Sequence, residues 1–173
     1  MQRILNQGLE LAGSLTTREG YAALNLEAFL QSIVDDSLDE HKHIWLKELL
    51  SGGTSPVIVK ARPLCLKRCV TNMVSNALKY GGNAELSITP ENGSVVIHVE
   101  DNGPGIPEDL LEQVFEPYFR LENSRNRSFG GTGLGLSITR NMALLNNGEL
   151  TLHNKPGGGR IAKLSLPRFI KKG

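Results

Sequence analysis

A glycine-rich stretch that directly follows an apolar run constrains this chain more than any other feature. The apolar run, Val95 to Val99, is typical of a buried strand, and the stretch Asp101 to Pro107 (DNGPGIP) comes just after it. Because glycines let the backbone approach a ligand closely, an aspartate followed by glycines suits the floor of a pocket. The same residues also suit a surface turn, and by themselves they leave both interpretations open.

A second glycine cluster, Gly130 to Leu136 (GGTGLGL), favours the pocket. It is loop-like and then opens a predicted helix, where free backbone N–H groups can hold phosphate oxygens. Two common phosphate loops do not fit: the sequence G-x-x-x-x-G-K-[S/T] is absent, and the third glycine of a dinucleotide-binding pattern would fall on Leu136. The two clusters together indicate a nucleotide pocket of another type.

The predicted helix from Pro63 to Tyr80 carries two asparagines, although asparagine is a poor residue for a helix interior. Spacing places them on one stripe of the helix with a lysine and a tyrosine. The members of this stripe are Asn72, Asn76, Lys79 and Tyr80. The stripe is either a solvated polar face or a carboxamide pair that holds Mg²⁺ and triphosphate oxygens.

Periodicity and turn signals predict a mixed succession of helices and strands in the rest of the chain. Strands are expected over residues 22–26, 43–49, 56–60, 84–89, 95–100, 149–153 and 160–166. Helices are expected over residues 29–39, 63–80, 107–114 and 134–145. The face of the 63–80 helix expected to be buried consists of Leu66, Cys69, Val70, Met73 and Ala77. The polar stretch 121–131, between the predicted helices 107–114 and 134–145, is typical of a functional lid.

Composition sets only broad limits. A chain of 173 residues fits one domain, and its net charge of +1 gives no electrostatic argument for nucleic acid as a partner. No run approaches the roughly 20 apolar residues of a membrane span. Cys65 and Cys69 have no second Cys/His pair at ligand spacing, so we expect core or surface thiols in a reducing, cytoplasmic setting.

Four motifs carry a resemblance to a known family. In chain order they are N-x-x-x-N-A-x-K-Y from Asn72, D-x-G-x-G from Asp101, F-x-P-Y-F from Phe115 and G-T-G-L-G-L from Gly131. Together they resemble the N, G1, F and G2 boxes of the catalytic ATP-binding domain (HATPase_c, GHKL superfamily) of bacterial two-component sensor histidine kinases, of the osmosensor type. The resemblance covers about residues 22–167.

The resemblance implies a fold and a domain organisation. The fold would be the Bergerat ATP-binding fold, an α/β (α+β) two-layer sandwich with a mixed sheet of about five strands on three helices. ATP would lie between the helix layer and a lid at about residues 117–132. Residues 21–170 would form the catalytic domain, and residues 1–20 would be the remnant of a dimerisation helix and linker.

The resemblance also implies roles for single residues. Asp101 would accept a hydrogen bond from the adenine amino group, Asn76 would ligate Mg²⁺, and Asn72 would lie near the phosphates. Lys79 would contact phosphate and count with the two asparagines as catalytic, while Tyr80 would flank the base. The other nucleotide-site residues would be Gly103, Gly105, Ile106, Phe115, Tyr118, Arg125, Gly131, Thr132, Gly133, Leu134, Gly135 and Leu136. Of these, Arg125 is equally well explained as a solvated lid charge, as is Arg127.

The residue type at position 72 indicates which branch of the superfamily the chain resembles. Relatives that hydrolyse ATP or phosphorylate serine resemble one another in having a glutamate here, which can accept a proton. An asparagine cannot, whereas a neutral histidine acceptor is abundant near pH 7 and needs less help. Asn72 therefore favours phosphoryl transfer to a histidine, mostly by positioning and charge neutralisation.

The acceptor histidine is expected on another domain. The four histidines, His41, His43, His98 and His153, do not lie in the H-E-x-x-T-P-like box that the family carries on a dimerising hairpin. The expected partners are therefore that dimerisation domain and, indirectly, a response regulator, in a homodimeric full-length protein. The resemblance implies a cytoplasmic domain of an inner-membrane sensor. A non-catalytic nucleotide-sensing module and a GHKL-type ATPase stay open as alternatives.

Overall fold

The computed structural model describes residues 19–38, 43–47, 55–119 and 135–169. The helices of these residues are α1 (Leu26–Leu38), α2 (Pro63–Gly81) and α3 (Gly135–Leu145). The strands are β1 (Ala22–Asn25), β2 (Ile44–Leu46), β3 (Ile58–Ala61), β4 (Ala84–Glu91), β5 (Ser94–Asp101), β6 (Glu149–Asn154) and β7 (Arg160–Pro167). Two 3₁₀ turns, Glu108–Leu110 and Gln113–Phe115, follow β5.

Five of these strands form one mixed sheet in the order β2-β4-β5-β7-β6. Strand β2 runs parallel to β4, and the remaining pairs are antiparallel. In the β5–β7 ladder, Asp101 lies opposite Arg160, so the end of one strand meets the beginning of the other. The mixed five-stranded sheet and the two-layer α/β sandwich confirm the predicted fold class. Strands β1 and β3 form a separate two-stranded sheet.

The core lies between the helices and one face of the sheet. Side chains alternate along a strand, and in β5 Val95, Ile97 and Val99 belong to the core cluster. The next residue in the same phase is Asp101, which is buried as well. The core-facing side of β5 therefore ends in the carboxylate of Asp101, at the edge of the core.

Helix α2 packs on this face as its sequence predicts. All five residues of the predicted buried face are buried, together with Cys65 and Val74. Pro63 lies in the first turn, and Gly82 caps the helix just after its last residue, with φ 75° and its N–H donating to the Leu78 carbonyl at 3.0 Å. The left-handed conformation at Gly82 ends the helix just before β4 begins.

A buried asparagine joins α2 to α3. The Asn146 carboxamide oxygen accepts a hydrogen bond from the Arg62 N–H at 2.8 Å, and its NH₂ group donates to the Met142 carbonyl at 3.0 Å. The first bond satisfies a backbone donor at the start of α2, and the second holds the end of α3. The two helices are thereby fixed relative to each other.

Three local predictions need correction. The predicted helix over residues 107–114 is a pair of 3₁₀ turns, because the segment is a short connector without the length to sustain an α-helix. The predicted strand at 22–26 ends at Asn25, whose side-chain oxygen accepts the Ala28 N–H at 3.2 Å and begins α1. Strand β2 is shorter than predicted, at three residues. Residues 1–18 of the predicted dimerisation-helix remnant and the lid stretch 121–131 lie outside the described residues.

We expect Leu66→Ala to destabilise the domain by about 2–5 kcal/mol, because Leu66 is fully buried and its removal leaves a cavity under α2. Urea unfolding would measure the change. The matched control is Leu64→Ala on the same helix, where the side chain is 71% exposed and we expect a change within about 0.5 kcal/mol. Equal destabilisation by both variants would contradict the packing of α2.

Candidate functional site

The centre of the candidate site is the carboxylate of Asp101, which is only 3% exposed. Its Oδ1 accepts the Gly103 N–H at 2.9 Å, which closes a tight turn after β5. Its Oδ2 accepts a hydrogen bond from the Arg160 Nε at 3.2 Å. A buried carboxylate is costly unless it is paired and hydrogen-bonded, and both conditions are met here.

Close packing around Asp101 requires glycine on α2 and in the loop. A Cβ at Gly81 would lie 2.4 Å from the Asp101 Cβ, and one at Gly103 would lie 2.5 Å from the Tyr80 carbonyl oxygen. These distances are shorter than any side chain tolerates. The loop therefore lies directly against the end of α2. The sequence analysis attributed the loop glycines to the approach of a ligand, and in the structure Gly103 allows close packing of the loop on the helix.

Asn154, at the end of β6, holds the loop from the other side. Its Oδ1 accepts the Ile106 N–H at 2.9 Å, and its Nδ2 donates to the Ile106 carbonyl at 2.5 Å. Both backbone groups of Ile106 are thereby satisfied by a single side chain. Lys155 adds a bond from its Nζ to the Asn102 Oδ1 at 3.1 Å. The loop after Asp101 is thus fixed at two points by the chain that leaves β6.

The two helix asparagines have different surroundings. Asn76 lines the same pocket as Asp101. Asn72 lies a turn earlier, where its Nδ2 donates to the Thr139 Oγ1 at 3.3 Å. Thr139 in turn donates to the Gly135 carbonyl at 2.6 Å, so Asn72 is tied to the first turn of α3. The structure brings Asn76 and Asp101 to one pocket and places Asn72 at the beginning of α3.

The other two residues of the stripe lie at the surface. Lys79 is exposed, and Tyr80 is 40% exposed at the end of α2. The carbon of the Arg160 guanidinium lies 4.9 Å from the centroid of the Tyr80 ring, within the range of a cation–π contact. Asn72 and Asn76 are therefore partly buried, whereas Lys79 and Tyr80 lie at the surface.

A pocket lies between α2 and the sheet. Its cavity volume of about 20 Å³ is enough for at least one water, which needs about 10–15 Å³. The described residues that line it are Met73, Asn76, Ala77, Val99, Asp101, Leu136, Leu150, Leu152, Arg160 and Ala162.

Arg160 is the main residue of the site that the sequence analysis missed. Its Nη2 also donates to the Asn76 carbonyl at 3.4 Å, so it contacts Asp101, Tyr80 and α2 together. The alternation of β7 could have revealed it, because Leu164 and Leu166 are buried and residue 160 has the same phase. An arginine in a core-facing phase requires a buried partner.

The aromatic motif contacts α3. Phe115 is buried, and the Arg140 guanidinium of α3 lies 4.0 Å from its ring centroid. Arg140 also pairs with Glu112 at 2.8 Å. Tyr118 is exposed and adopts φ 65°, a conformation that non-glycine residues seldom take. The motif therefore fixes the segment after the loop against α3.

The remaining predicted site residues fall into two groups. Ile106 is buried, Gly105 adopts φ 80° in the loop, Gly135 opens α3 and Leu136 lines the pocket. The others lie outside the described residues: Arg125, Gly131, Thr132, Gly133 and Leu134, together with Arg127 of the lid stretch.

The two cysteines belong to the core and not to the site. Cys65 and Cys69 are buried, with their thiols directed at the carbonyls of Met142 and Thr139 on α3. Burial raises the pKa of Cys69 to about 12, and that of Cys65 is raised as well. Both thiols are therefore protonated and unreactive at neutral pH.

Comparison with known proteins decides the family. Residues 61–170 match the family described as histidine kinase-, DNA gyrase B- and HSP90-like ATPases. The chain belongs to this family. The match begins at the end of β3 and includes every described residue that contacts Asp101, so the family assignment and the pocket concern the same part of the chain.

Individual relatives are consistent with this. The sensor histidine kinase GtrS of Pseudomonas aeruginosa is 38% identical over 98% of this chain and 34% of its own length. The histidine kinase domain of the Escherichia coli osmosensor EnvZ is 33% identical, with a TM-score of 0.63 over 90% of this chain and 92% of that domain. The ATP-binding domain of PrrB from Mycobacterium tuberculosis is 26% identical, with a TM-score of 0.69 over 88% of this chain and all of that domain.

These findings confirm the predicted family and its histidine kinase branch. The chain corresponds to the catalytic ATPase-type domain of that branch, since it spans nearly all of the EnvZ domain but only 34% of the full-length relative GtrS. In the part of the chain that the structure describes, no helix is both long and apolar enough to cross a membrane.

We expect Asn154→Ala to loosen the loop after Asp101, because the substitution removes both hydrogen bonds to the Ile106 backbone. Each bond contributes about 0.5–1.5 kcal/mol, so exchange of the Ile106 amide hydrogen should accelerate by roughly tenfold or more. Native-state hydrogen exchange measured by NMR provides this rate. The Ile97 amide in the middle of β5 is the internal control, and unchanged exchange at Ile106 would show that Asn154 does not hold the loop.

Proposed function

We propose that this chain is the ATP-binding catalytic domain of a sensor histidine kinase, which transfers the γ-phosphoryl group of ATP to a histidine on a dimerisation domain. The observation that carries the proposal is the placement of Asp101 and Asn76 in one pocket, between α2 and the sheet. Membership of the histidine kinase branch supports it, as does the similarity to the sensor histidine kinase GtrS.

Recognition of the purine is assigned to Asp101. Each carboxylate oxygen accepts one hydrogen bond from the protein and keeps a second lone pair. An exocyclic amino group is a donor that such an oxygen can accept, which suits adenine. The apolar residues Met73, Val99 and Leu136 line the same pocket and would pack on the faces of the ring.

The phosphates are assigned to the polar stripe of α2. The donor set fits Mg²⁺, because carboxamide oxygens are hard ligands of the kind this ion prefers. Asn76 would hold the ion, which neutralises phosphate charge when bound. Asn72 uses its NH₂ group on Thr139, so its oxygen keeps its acceptor capacity near the phosphates. Lys79 is exposed at the next turn and would contact phosphate oxygens.

The transfer itself requires little acid–base chemistry from this chain. A nitrogen of the acceptor imidazole forms a bond to the γ-phosphorus as the bond to the β,γ-bridging oxygen breaks, ADP leaves, and the imidazole proton passes to solvent. Position 72 holds an amide that cannot accept a proton, which is compatible with a histidine acceptor and unfavourable for hydrolysis. The residues of this chain position ATP and offset its charge.

The remaining expectations concern the full-length protein. We infer that residues 1–20 are the end of a dimerisation helix and linker, that residues 117–132 form the lid and that the catalytic domain spans residues 21–170.

The partners would be the dimerisation domain and, after transfer, a response regulator. The full-length protein would be a homodimer anchored in the inner membrane as a sensor, with this domain in the cytoplasm.

We expect Asp101→Asn to weaken ATP binding by roughly tenfold to more than a hundredfold, because a charged hydrogen bond contributes ~1.5–3 kcal/mol. Titration calorimetry with Mg-ATP would measure the change. Asp109→Asn, an exposed substitution in the first 3₁₀ turn, serves as the control and should bind ATP like the original protein. Equal affinity of the Asp101→Asn variant, with its fold verified by circular dichroism, would refute the adenine assignment.

We expect Asn76→Ala to reduce phosphoryl transfer at least about a hundredfold, comparable to removing a single charge-stabilising group from an active site. Labelled Mg-ATP would be supplied with a separate helical hairpin that carries an acceptor histidine. Asn92→Ala, in the exposed turn between β4 and β5, should leave transfer unchanged.

The same assay separates the alternatives. Without the hairpin, this chain should acquire no label, so label on one of its own four histidines would contradict the proposal. Binding without transfer would favour a nucleotide-sensing module, and phosphate release without transfer would favour an ATPase.

A further inference from the structure

A buried arginine shares the pocket with the carboxylate that the proposed function assigns to adenine. Asp101 and Arg160 both line the pocket, with side-chain exposures of 4% and 9%. The Arg160 Nε donates to the Asp101 Oδ2 at 3.2 Å, while the Oδ1 accepts the Gly103 N–H at 2.9 Å. Each carboxylate oxygen therefore accepts one protein donor and keeps a lone pair for a further donor.

The two hydrogen bonds fix the plane of the carboxylate. Rotation about the Cβ–Cγ bond of an aspartate is only weakly restricted by the side chain itself. A single hydrogen bond would leave part of that freedom. In this structure one oxygen is held by the loop after β5 and the other by the first residue of β7. The unused lone pairs therefore keep a constant direction.

The guanidinium is held in place as well. Its Nη2 donates to the Asn76 carbonyl at 3.4 Å, and its central carbon lies 4.9 Å from the centroid of the Tyr80 ring. Its backbone is fixed because Arg160 pairs with Asp101 in the β5–β7 ladder. A planar guanidinium with several contacts orients a carboxylate more strictly than a flexible ammonium group does. Arg160 is therefore preorganised to orient Asp101.

We propose that Arg160 determines the preference of this domain for adenine over 6-oxopurines, by holding Asp101 as an oriented, ionised hydrogen-bond acceptor. The inference rests on the proposed function, since it requires that Asp101 recognise the base. Arg160 is a positioning residue in this scheme. It stays bound to Asp101 when the nucleotide enters, and it acts on the base through the carboxylate.

The selectivity follows from the group that each purine carries at C6. Adenine has an amino group there, which is a donor, whereas hypoxanthine and guanine have a carbonyl oxygen, which is an acceptor. An ionised carboxylate can only accept, so it bonds the amino group and leaves the carbonyl oxygen unpaired. A site built to hydrogen-bond one group rejects the analogue that cannot form the bond.

Loss of the guanidinium would remove this selectivity. A buried carboxylate without a cation beside it is costly, and it avoids the cost by rotating or by taking up a proton. A protonated carboxyl group has an O–H that can donate to a carbonyl oxygen. The site would then accept a 6-oxopurine nearly as well as adenine.

The test compares Mg-ATP with Mg-ITP, which differ in the amino or carbonyl group at C6, by titration calorimetry. We expect the original protein to bind ATP about tenfold to a hundredfold more tightly than ITP, and Arg160→Met to lower this ratio by about tenfold. Arg68→Met, an exposed substitution on α2, is the matched control and should keep the ratio. A merely structural role would weaken both nucleotides equally, so an unchanged ratio in a folded Arg160→Met variant would overturn the inference.

Failure of the proposed function has a different signature. If the original protein binds ATP and ITP equally, or if Asp101→Asn keeps the original ratio, the adenine assignment itself fails. If Asp101→Asn lowers the ratio while a folded Arg160→Met variant keeps it, the adenine assignment stands and only the role of Arg160 fails.

A second measurement on the original protein applies if Arg160→Met, which leaves Asp101 without its buried cation, does not fold. The NMR signal of the Arg160 side-chain Nε–H would be assigned with Arg160→Lys, which keeps a cation beside Asp101. It should be protected from exchange without nucleotide, because the group is buried and hydrogen-bonded, and it should stay protected at saturating Mg-ATP.

The same signal should shift more with Mg-ATP than with Mg-ITP, because only ATP adds a donor to the carboxylate that accepts the Nε–H. Loss of protection when ATP binds would show that Arg160 leaves Asp101. Equal shifts with the two saturating nucleotides would show that the pair does not sense the group at C6. Either result would overturn the inference.

Discussion

The buried carboxylate of Asp101 is the constraint on which the rest of the structure depends. An ionised group inside the core is tolerated only when its lone pairs are used and its charge is offset. The Gly103 N–H and the Arg160 guanidinium meet these needs, one from the loop after β5 and one from the first residue of β7. Satisfying one carboxylate therefore fixes a loop, a strand end and the end of α2 at one place.

Helix α2 serves both the core and the pocket. One face buries Leu66, Val70 and Met73 against the sheet, while the neighbouring stripe carries Asn76 to the pocket beside Asp101 and Asn72 to Thr139 of α3. Apolar packing therefore sets the position of the polar groups. The bond from Asn72 to Thr139 extends this to α3, in addition to the contacts that the Cys65 and Cys69 thiols make with carbonyls of that helix.

Local patterns predicted the regular elements well, because helix and strand periodicity depend on near neighbours in the chain. The face of α2 is correct residue by residue, and the β4–β5 hairpin follows from the turn at Asn92 and Gly93. The one element predicted with the wrong type lies where periodicity is weak, in the connector that contains Glu108 and Gln113, and the bounds of β1 and β2 were also too long. The glycine stretch and the asparagine stripe each had another explanation, and it was the order of four motifs along the chain that favoured the nucleotide pocket.

The sequence by itself determined the family motifs, the core faces and the identity of the carboxylate, because each depends on residues a few positions apart. Only the tertiary structure decided what that carboxylate meets. Asp101 and Arg160 are 59 residues apart in the chain and become neighbours through the register of β5 against β7. Asn154 reaches Ile106 across a similar separation. Such contacts form only when segments distant in the sequence come together in the folded chain, so no local pattern predicts the partners.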